Sequence, residues 1–203
     1  MGRDSGRPVG PFRQRCRSLP IGWTYAVEPG RLRHVTGAVR LEPVDESNLE
    51  PLLSVAVAEA EPADVMPPVA APAGWSHARR DAFRDFHRAS FGGLDAPTRT
   101  AMYAILAGGE VVGMIRMSRR DEPDAVEVGM WLGRSARGQG IGPAALRELL
   151  NLAAAAGMRV VVAETVPENR GALSVLEKCG AKMREDGRRV YAEISLDSTP
   201  PAL

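Results

Sequence analysis

Trp131-Leu132-Gly133-Arg134-Ser135-Ala136-Arg137-Gly138-Gln139-Gly140-Ile141-Gly142-Pro143 joins a strand-like run to a helix-like one, and its alternate glycines decide how the chain is read. Without a Cβ, Gly138, Gly140 and Gly142 bring backbone N–H groups close to whatever binds. A helix that begins at Pro143, where a missing N–H costs nothing, turns its unpaired first-turn N–H groups and positive dipole end toward the same place. Arg137 adds a full charge. The expected ligand is a phosphate or pyrophosphate.

Working outward, Ala125-Val126-Glu127-Val128-Gly129-Met130-Trp131-Leu132 reads as a strand. Before it, residues 102–106 and 111–117 are strands around Ala107-Gly108-Gly109-Glu110, a hairpin turn. After the glycines, Leu146, Leu149, Leu150 and Ala153 form one apolar helical stripe that Gly157 ends. Residues 159–163 contain a continuous apolar run, as expected of a strand covered on both faces. A short helix over 170–178 stops at Gly180, and residues 190–196 alternate as a last strand. At the front, residues 39–44 alternate, and Asp45 or Ser47 caps a helix with Leu49, Leu52, Leu53 and Ala56 on one face. Residues 59–74 read as a loop. Ser76 caps a second helix in which Phe83, Phe86 and Ser90 share a face, with His87 beside them. The order β-α-α-β-β-β-α-β-α-β is an α/β (α+β) pattern, an antiparallel front half followed by a β-α-β unit.

The 203 residues suit one such domain plus an extra segment. Residues 1–38, rich in proline and arginine, read as a flexible basic extension in which Trp23, Tyr25 and Val27 alternate briefly. Residues 39–198 read as the domain. A net charge of +1 gives no general affinity for nucleic acid or an anionic membrane. No stretch approaches the roughly 18–20 apolar residues of a membrane span. Cys16 and Cys179 have no metal-ligand spacing and make no disulfide framework, so a reducing cytoplasm and a metal-free site are expected.

Gly140-Ile141-Gly142-Pro143-Ala144-Ala145 also fits the dinucleotide fingerprint, with Glu164 at the end of the next strand. In that fold, however, the first glycine leaves the strand directly, whereas residues 133–139 intervene here, and only one β-α-β unit exists. A P-loop would need Gly-Lys-Ser/Thr after the glycines, which is absent.

Arg137-Gly138-Gln139-Gly140-Ile141-Gly142 resembles the Arg/Gln-x-x-Gly-x-Gly/Ala signature of the GNAT acetyltransferases. Glu127-Val128-Gly129-Met130-Trp131-Leu132 resembles a strand of the subgroup that modifies ribosomal-protein N-termini and related amines. Asn169-Arg170-Gly171-Ala172 and Glu177-Lys178-Cys179-Gly180-Ala181 resemble two of its later elements. The resemblance implies a mixed central sheet of six to seven strands with helices on both faces. It also implies acetyl-CoA as co-substrate, held by Met130, Trp131, Leu132, residues 137–143, Asn169 and Ala172.

By the same resemblance, an amine attacks the thioester directly, Met130 N–H stabilises the oxyanion, and Glu127 acts as base. A solvated strand carboxylate explains Glu127 equally well. Two departures stand out. The family's common thiolate-protonating tyrosine is Leu176 here, and the subgroup's serine is Ala172, so the general acid stays unassigned and water can serve. Cys179 reads as a small buried side chain rather than a nucleophile.

Glu59, Glu61 and Asp64 would suit a cationic acceptor such as an aminoglycoside or polyamine, and an ordinary solvated loop explains them equally well. Trp75 reads as pocket lining or core, and His87 as a packed residue before a base. The expected acceptor is a small-molecule amine. A protein N-terminus or lysine is the alternative, and a non-catalytic acetyl-CoA-binding module the third reading. The resemblance leaves room for a homodimer.

Overall fold

A computed structural model describes residues 38–196, so the alternation at Trp23, Tyr25 and Val27 lies outside the described residues. β1 (Val39–Pro43), β2 (Thr100–Ala107), β3 (Glu110–Arg119) and β4 (Ala125–Leu132) lie side by side, each antiparallel to the next. β5 (Val160–Thr165) joins β4 in parallel. β6 (Lys182–Asp186) and β7 (Arg189–Ser195) complete a seven-stranded sheet in the order β1-β2-β3-β4-β5-β7-β6. This is the mixed sheet expected, with its antiparallel first half.

Helices cover both faces. α1 (Glu46–Glu59) starts where Asp45 accepts the Ser47 N–H at 2.8 Å and Asn48 Oδ1 accepts the Asp45 N–H at 3.1 Å. α2 (Pro62–Val65) is one turn within the expected loop, with Pro62 at its first position. α3 (His77–Arg88) follows its cap Ser76. Arg84 with Glu50 and Arg88 with Glu46 tie α3 to α1. Between these helices and the sheet, Leu49, Leu52 and Phe83 bury against Met102, Met114 and Trp131. On the other face, Leu146 and Leu149 of α4 (Ile141–Ala155) and Leu176 of α5 (Arg170–Lys178) pack on Val126, Val128, Met130, Leu132 and Val161.

His87 and Trp75 belong to the packing. The His87 ring is fully buried, its Nδ1 lies 2.8 Å from the Phe83 carbonyl, and its centroid is 4.1 Å from the Phe83 ring. Trp75 donates Nε1–H to the Ala60 carbonyl and meets Phe83 edge-on.

Two local expectations are corrected. α4 begins at Ile141, so Pro143 is its third residue rather than its first. The proline still fits, because first-turn N–H groups have no intrahelical partner. β6 was not read from the sequence at all. All five of its residues are exposed, so it shows no apolar alternation.

Candidate active site

The site begins where β4 and β5 part. They pair only through Ala125↔Val160, Val126↔Val161 and Glu127↔Val162. Beyond Glu127, β4 keeps its β3 partners while β5 continues with β7 alone. Gly133 N–H bonds to the Val112 carbonyl across β3. Backbone groups alternate along a strand, so those of Trp131 also face β3 and those of Leu132 and Met130 face the gap. Met130 N–H therefore points where β5 has withdrawn.

A 3-10 turn, Arg134–Ala136, carries the chain from β4 into the glycine loop. Gly138 and Gly140 have φ of +76° and +78°, left-handed conformations natural to glycine, and a Cβ at either would meet nothing within 4 Å. Gly142 has a different task. A Cβ there would lie 2.9 Å from Val175 Cγ2, so this glycine lets α4 close on α5. No side chain caps α4, Pro143 has no N–H, and among the described residues the N–H groups of Gly138, Gly140, Ile141 and Gly142 take no partner. Unpartnered donors at a helix N-terminus form an anion cradle. Arg137 stands beside it, its Nε donating to the Leu132 carbonyl at 3.0 Å. Gln139 Nε2 donates to the Ser135 carbonyl at 2.6 Å. Ile141 and Leu132 are buried in the core beneath.

At the far side of the gap, Asn169 caps α5 by accepting the Ala172 N–H at 3.1 Å. Asn169 is only 2% exposed, and its Nδ2 has no partner; nor has Thr165 Oγ1 at the end of β5. A buried polar group without a partner is costly, which makes each a ready hydrogen-bonding position for a polar ligand. Thr165 shares the α4 and α5 face with Val161 and Ala163, by strand alternation. Ala172 is wholly buried, with its N–H already given to Asn169, so its side chain offers only packing. Trp131 is buried in the α1 and α3 core with Nε1 unpartnered. Acetyl-CoA, with an anionic pyrophosphate and an arm carrying amides, fits this set of donors.

On the α1 and α3 face, two hollows meet at Glu127. One, about 430 Å³, lies between α3 and β2–β4, against Phe86, Thr100, Met102 and Arg116. The other, about 650 Å³, lies on the β5, β7 and β6 face, against Val162, Glu164 and Tyr191. Glu127 is not a free carboxylate: Oε1 is 3.8 Å from Arg116 Nη2 and Oε2 is 3.3 Å from Arg120 Nη1. Arg116 also donates to Ser118 Oγ at 2.7 Å. Burial lowers its pKa from the usual guanidinium value, and Glu127 opposes that effect.

Several participants escaped the sequence reading. Arg116 was readable in principle, because it alternates with Met114 and Ser118 toward one covered face. Thr165 gave no signal, since an isolated threonine at a strand end is ordinary. Glu59, read equally as an acceptor-side acid or as part of a solvated loop, binds Ser135 through the Ser135 N–H at 2.7 Å and Oγ at 2.9 Å.

Residues 38–182 match the family described as Acetyltransferase (GNAT) domain. The chain belongs to the GNAT acetyltransferases. As a member it is an acyltransferase that uses acetyl-CoA to modify an amine. A search of curated proteins finds no match. Among solved structures, this GNAT chain is similar to Mycobacterium smegmatis RimJ in complex with a CoA disulfide (22% identity, TM-score 0.64, covering 78% of this chain and 82% of that one). It is also similar to the Salmonella typhimurium enzyme that modifies the N-terminal serine of ribosomal protein L7/L12 (17%, TM-score 0.62, 80% and 98%). A third is the Vibrio cholerae spermidine/spermine N-acetyltransferase SpeG (11%, TM-score 0.58, 78% and 94%). At these identities the shared property is the fold. Among the described residues, no helix is long and apolar enough to cross a membrane, and no group of three His, Cys, Asp or Glu side chains is placed to hold a metal.

Proposed function

We propose that residues 39–198 transfer acetyl from acetyl-CoA to a primary amine of a small molecule seated in the hollow beside Glu127. The gap between β4 and β5 carries this reading. It opens between a set of unpartnered N–H donors and the wall shared by both hollows. The 430 Å³ hollow is of the size that takes a small ligand. Structural neighbours that act on a ribosomal protein and on spermidine/spermine leave both acceptor classes within reach of the fold.

In this proposal Gly138, Gly140, Ile141 and Gly142 bind the pyrophosphate through backbone N–H groups, with Arg137 adding charge beside them. Gln139 and Pro143 shape the loop, and Asn169 Nδ2 meets the arm. Trp131 and Leu132 fix the strand edge. The co-substrate supplies an activated acetyl thioester. Met130 N–H donates to the carbonyl oxygen as it gains charge. Glu127 takes the amine proton, directly or through water, once a guanidinium yields its place. Leu176, which stands where the family commonly has its tyrosine, is buried core and has no proton to give, so in this proposal water protonates the thiolate. Burial raises the Cys179 thiol's pKa, which suits packing rather than nucleophilic attack.

The cationic acceptor suggested by Glu59, Glu61 and Asp64 loses support, because Glu59 is held by Ser135. The 430 Å³ hollow is lined by Arg99, Arg116, Arg119 and Arg120 against Asp121, Glu122 and Glu127. Thiol release from acetyl-CoA with a panel of small amines and of peptides with free N-termini is the test. Turnover of small amines supports the proposal, and turnover of peptides alone overturns its acceptor class. Acetyl-CoA binding without turnover of any amine favours the non-catalytic module.

A further inference from the structure

α1, packed on the sheet face that carries the proposed acceptor hollow, is bonded to the turn that leads into the glycine loop. α1 ends at Glu59, an acidic residue where the helix dipole disfavours negative charge, and its last turn holds no basic residue. The charge is offset from outside the helix. Glu59 Oε2 accepts the Ser135 N–H at 2.7 Å and Oε1 accepts the Ser135 hydroxyl at 2.9 Å, so the carboxylate sits at the start of the 3-10 turn. In return Arg134 Nη2 donates to the Ala58 carbonyl at 3.1 Å. Ser135 passes the contact on, because its carbonyl accepts Gln139 Nε2 at 2.6 Å, and Gln139 stands between Gly138 and Gly140.

Gly133 makes this approach possible. Its φ is −53°, which any residue adopts, so no backbone requirement calls for glycine there. Space does: a Cβ would lie 2.9 Å from Glu59 Oε2 and 3.2 Å from Val55 Cγ1. The chain is thus pared down at the point where the turn meets the carboxylate.

We infer that Glu59 is a positioning residue for acetyl-CoA, holding the glycine loop in its binding shape through Ser135 and Gln139. The inference rests on the reading that this loop takes the pyrophosphate. It also separates Glu59 from an acceptor-binding role, which would leave the loop unaffected.

The test is calorimetric titration of the full chain with acetyl-CoA, with melting curves run alongside. E59A weakens binding by about fivefold or more, as losing two hydrogen bonds to a charged group implies. E59Q stays within about twofold of wild type, because its amide oxygen still accepts the Ser135 N–H. S135A, on an exposed turn where the fold survives, loses only the hydroxyl bond and keeps the Ser135 N–H, so it weakens binding less than E59A does and adds nothing to E59A, whose loss already includes that bond. Wild-type affinity in folded E59A, or independent losses that add in the double variant, overturns the link. A wild-type chain that binds no acetyl-CoA overturns the loop reading itself, and the link with it.

Discussion

Arg116 reaches Glu127 by crossing over Gly129: a Cβ on Gly129 would lie 3.1 Å from Arg116 Nε, and the guanidinium ends 3.8 Å from the carboxylate. The two side chains are only 11% and 15% exposed, so each depends on the other for compensation. E127Q therefore lowers stability, by about 1–3 kcal/mol, because it takes the carboxylate charge from beside a buried guanidinium that keeps only Ser118 as a neutral partner; in the proposed mechanism it lowers turnover too. R116M combined with E127Q loses less stability than the two single losses summed. Denaturant melts of the four chains check this, and strict additivity refutes the coupling.

Gly140 and Gly142, two residues apart, fail in different ways. G140A places a methyl in open space on a left-handed backbone, costing about 1–2 kcal/mol of stability. It weakens acetyl-CoA binding in addition, because the methyl points into the cradle. G142A drives a methyl against Val175, and its stability loss, about 1–3 kcal/mol, comes from overpacking α4 on α5. Melting and calorimetry on both variants check the division. Wild-type acetyl-CoA affinity in folded G140A refutes the cradle.

At Thr165 and Asn169 stability and binding part company. T165V removes a buried hydroxyl that has no partner, so the free protein melts no lower, and up to about 1 kcal/mol of stability is gained. Acetyl-CoA binding weakens in the same variant. N169D keeps the oxygen that caps α5 and loses the Nδ2 donor, so binding falls; melting changes only by the balance between burying a carboxylate and placing its charge at a helix N-terminus. Unaltered affinity in both variants removes these atoms from the site.

His87 makes stability depend on pH. Burial lowers its pKa from 6.5 to about 4, with the Phe83 carbonyl opposing. An unfolded chain protonates the imidazole near 6.5 and the folded chain does not, so stability falls as pH drops from about 6.5 toward 4 and levels off below. The largest loss from this group is about 3 kcal/mol. H87F flattens that part of the profile, which melting between pH 7 and 4 measures. An unchanged profile in H87F shows that other groups cause it.

The elements that hold the site were legible because each bears a local signature. β4 has its apolar run, α4 its glycines and stripe, and α5 its Gly180 stop. β6 was illegible because no residue in it is buried. The Asp186-Gly187 pair ahead of an alternating strand was the available hint, and Gly187 indeed turns the chain with φ of +62°. The parting of β4 from β5 is a matter of register between segments far apart in the chain, which no local pattern carries. The Glu59 contact was hidden for the same reason: its partner Ser135 lies 76 residues away.

Because β4 and β5 stay joined over only three residue pairs, the sheet is a wall with a slot in it. Strands that part leave room for about one more, and neighbours in a sheet lie roughly 4.8 Å apart. A slot of that width suits a slender, unbranched chain. In the proposed arrangement donor and acceptor occupy separate rooms and touch only through the opening. Either can arrive or leave without displacing the other, and a single compound occupying both must thread a tether long and thin enough to pass the wall.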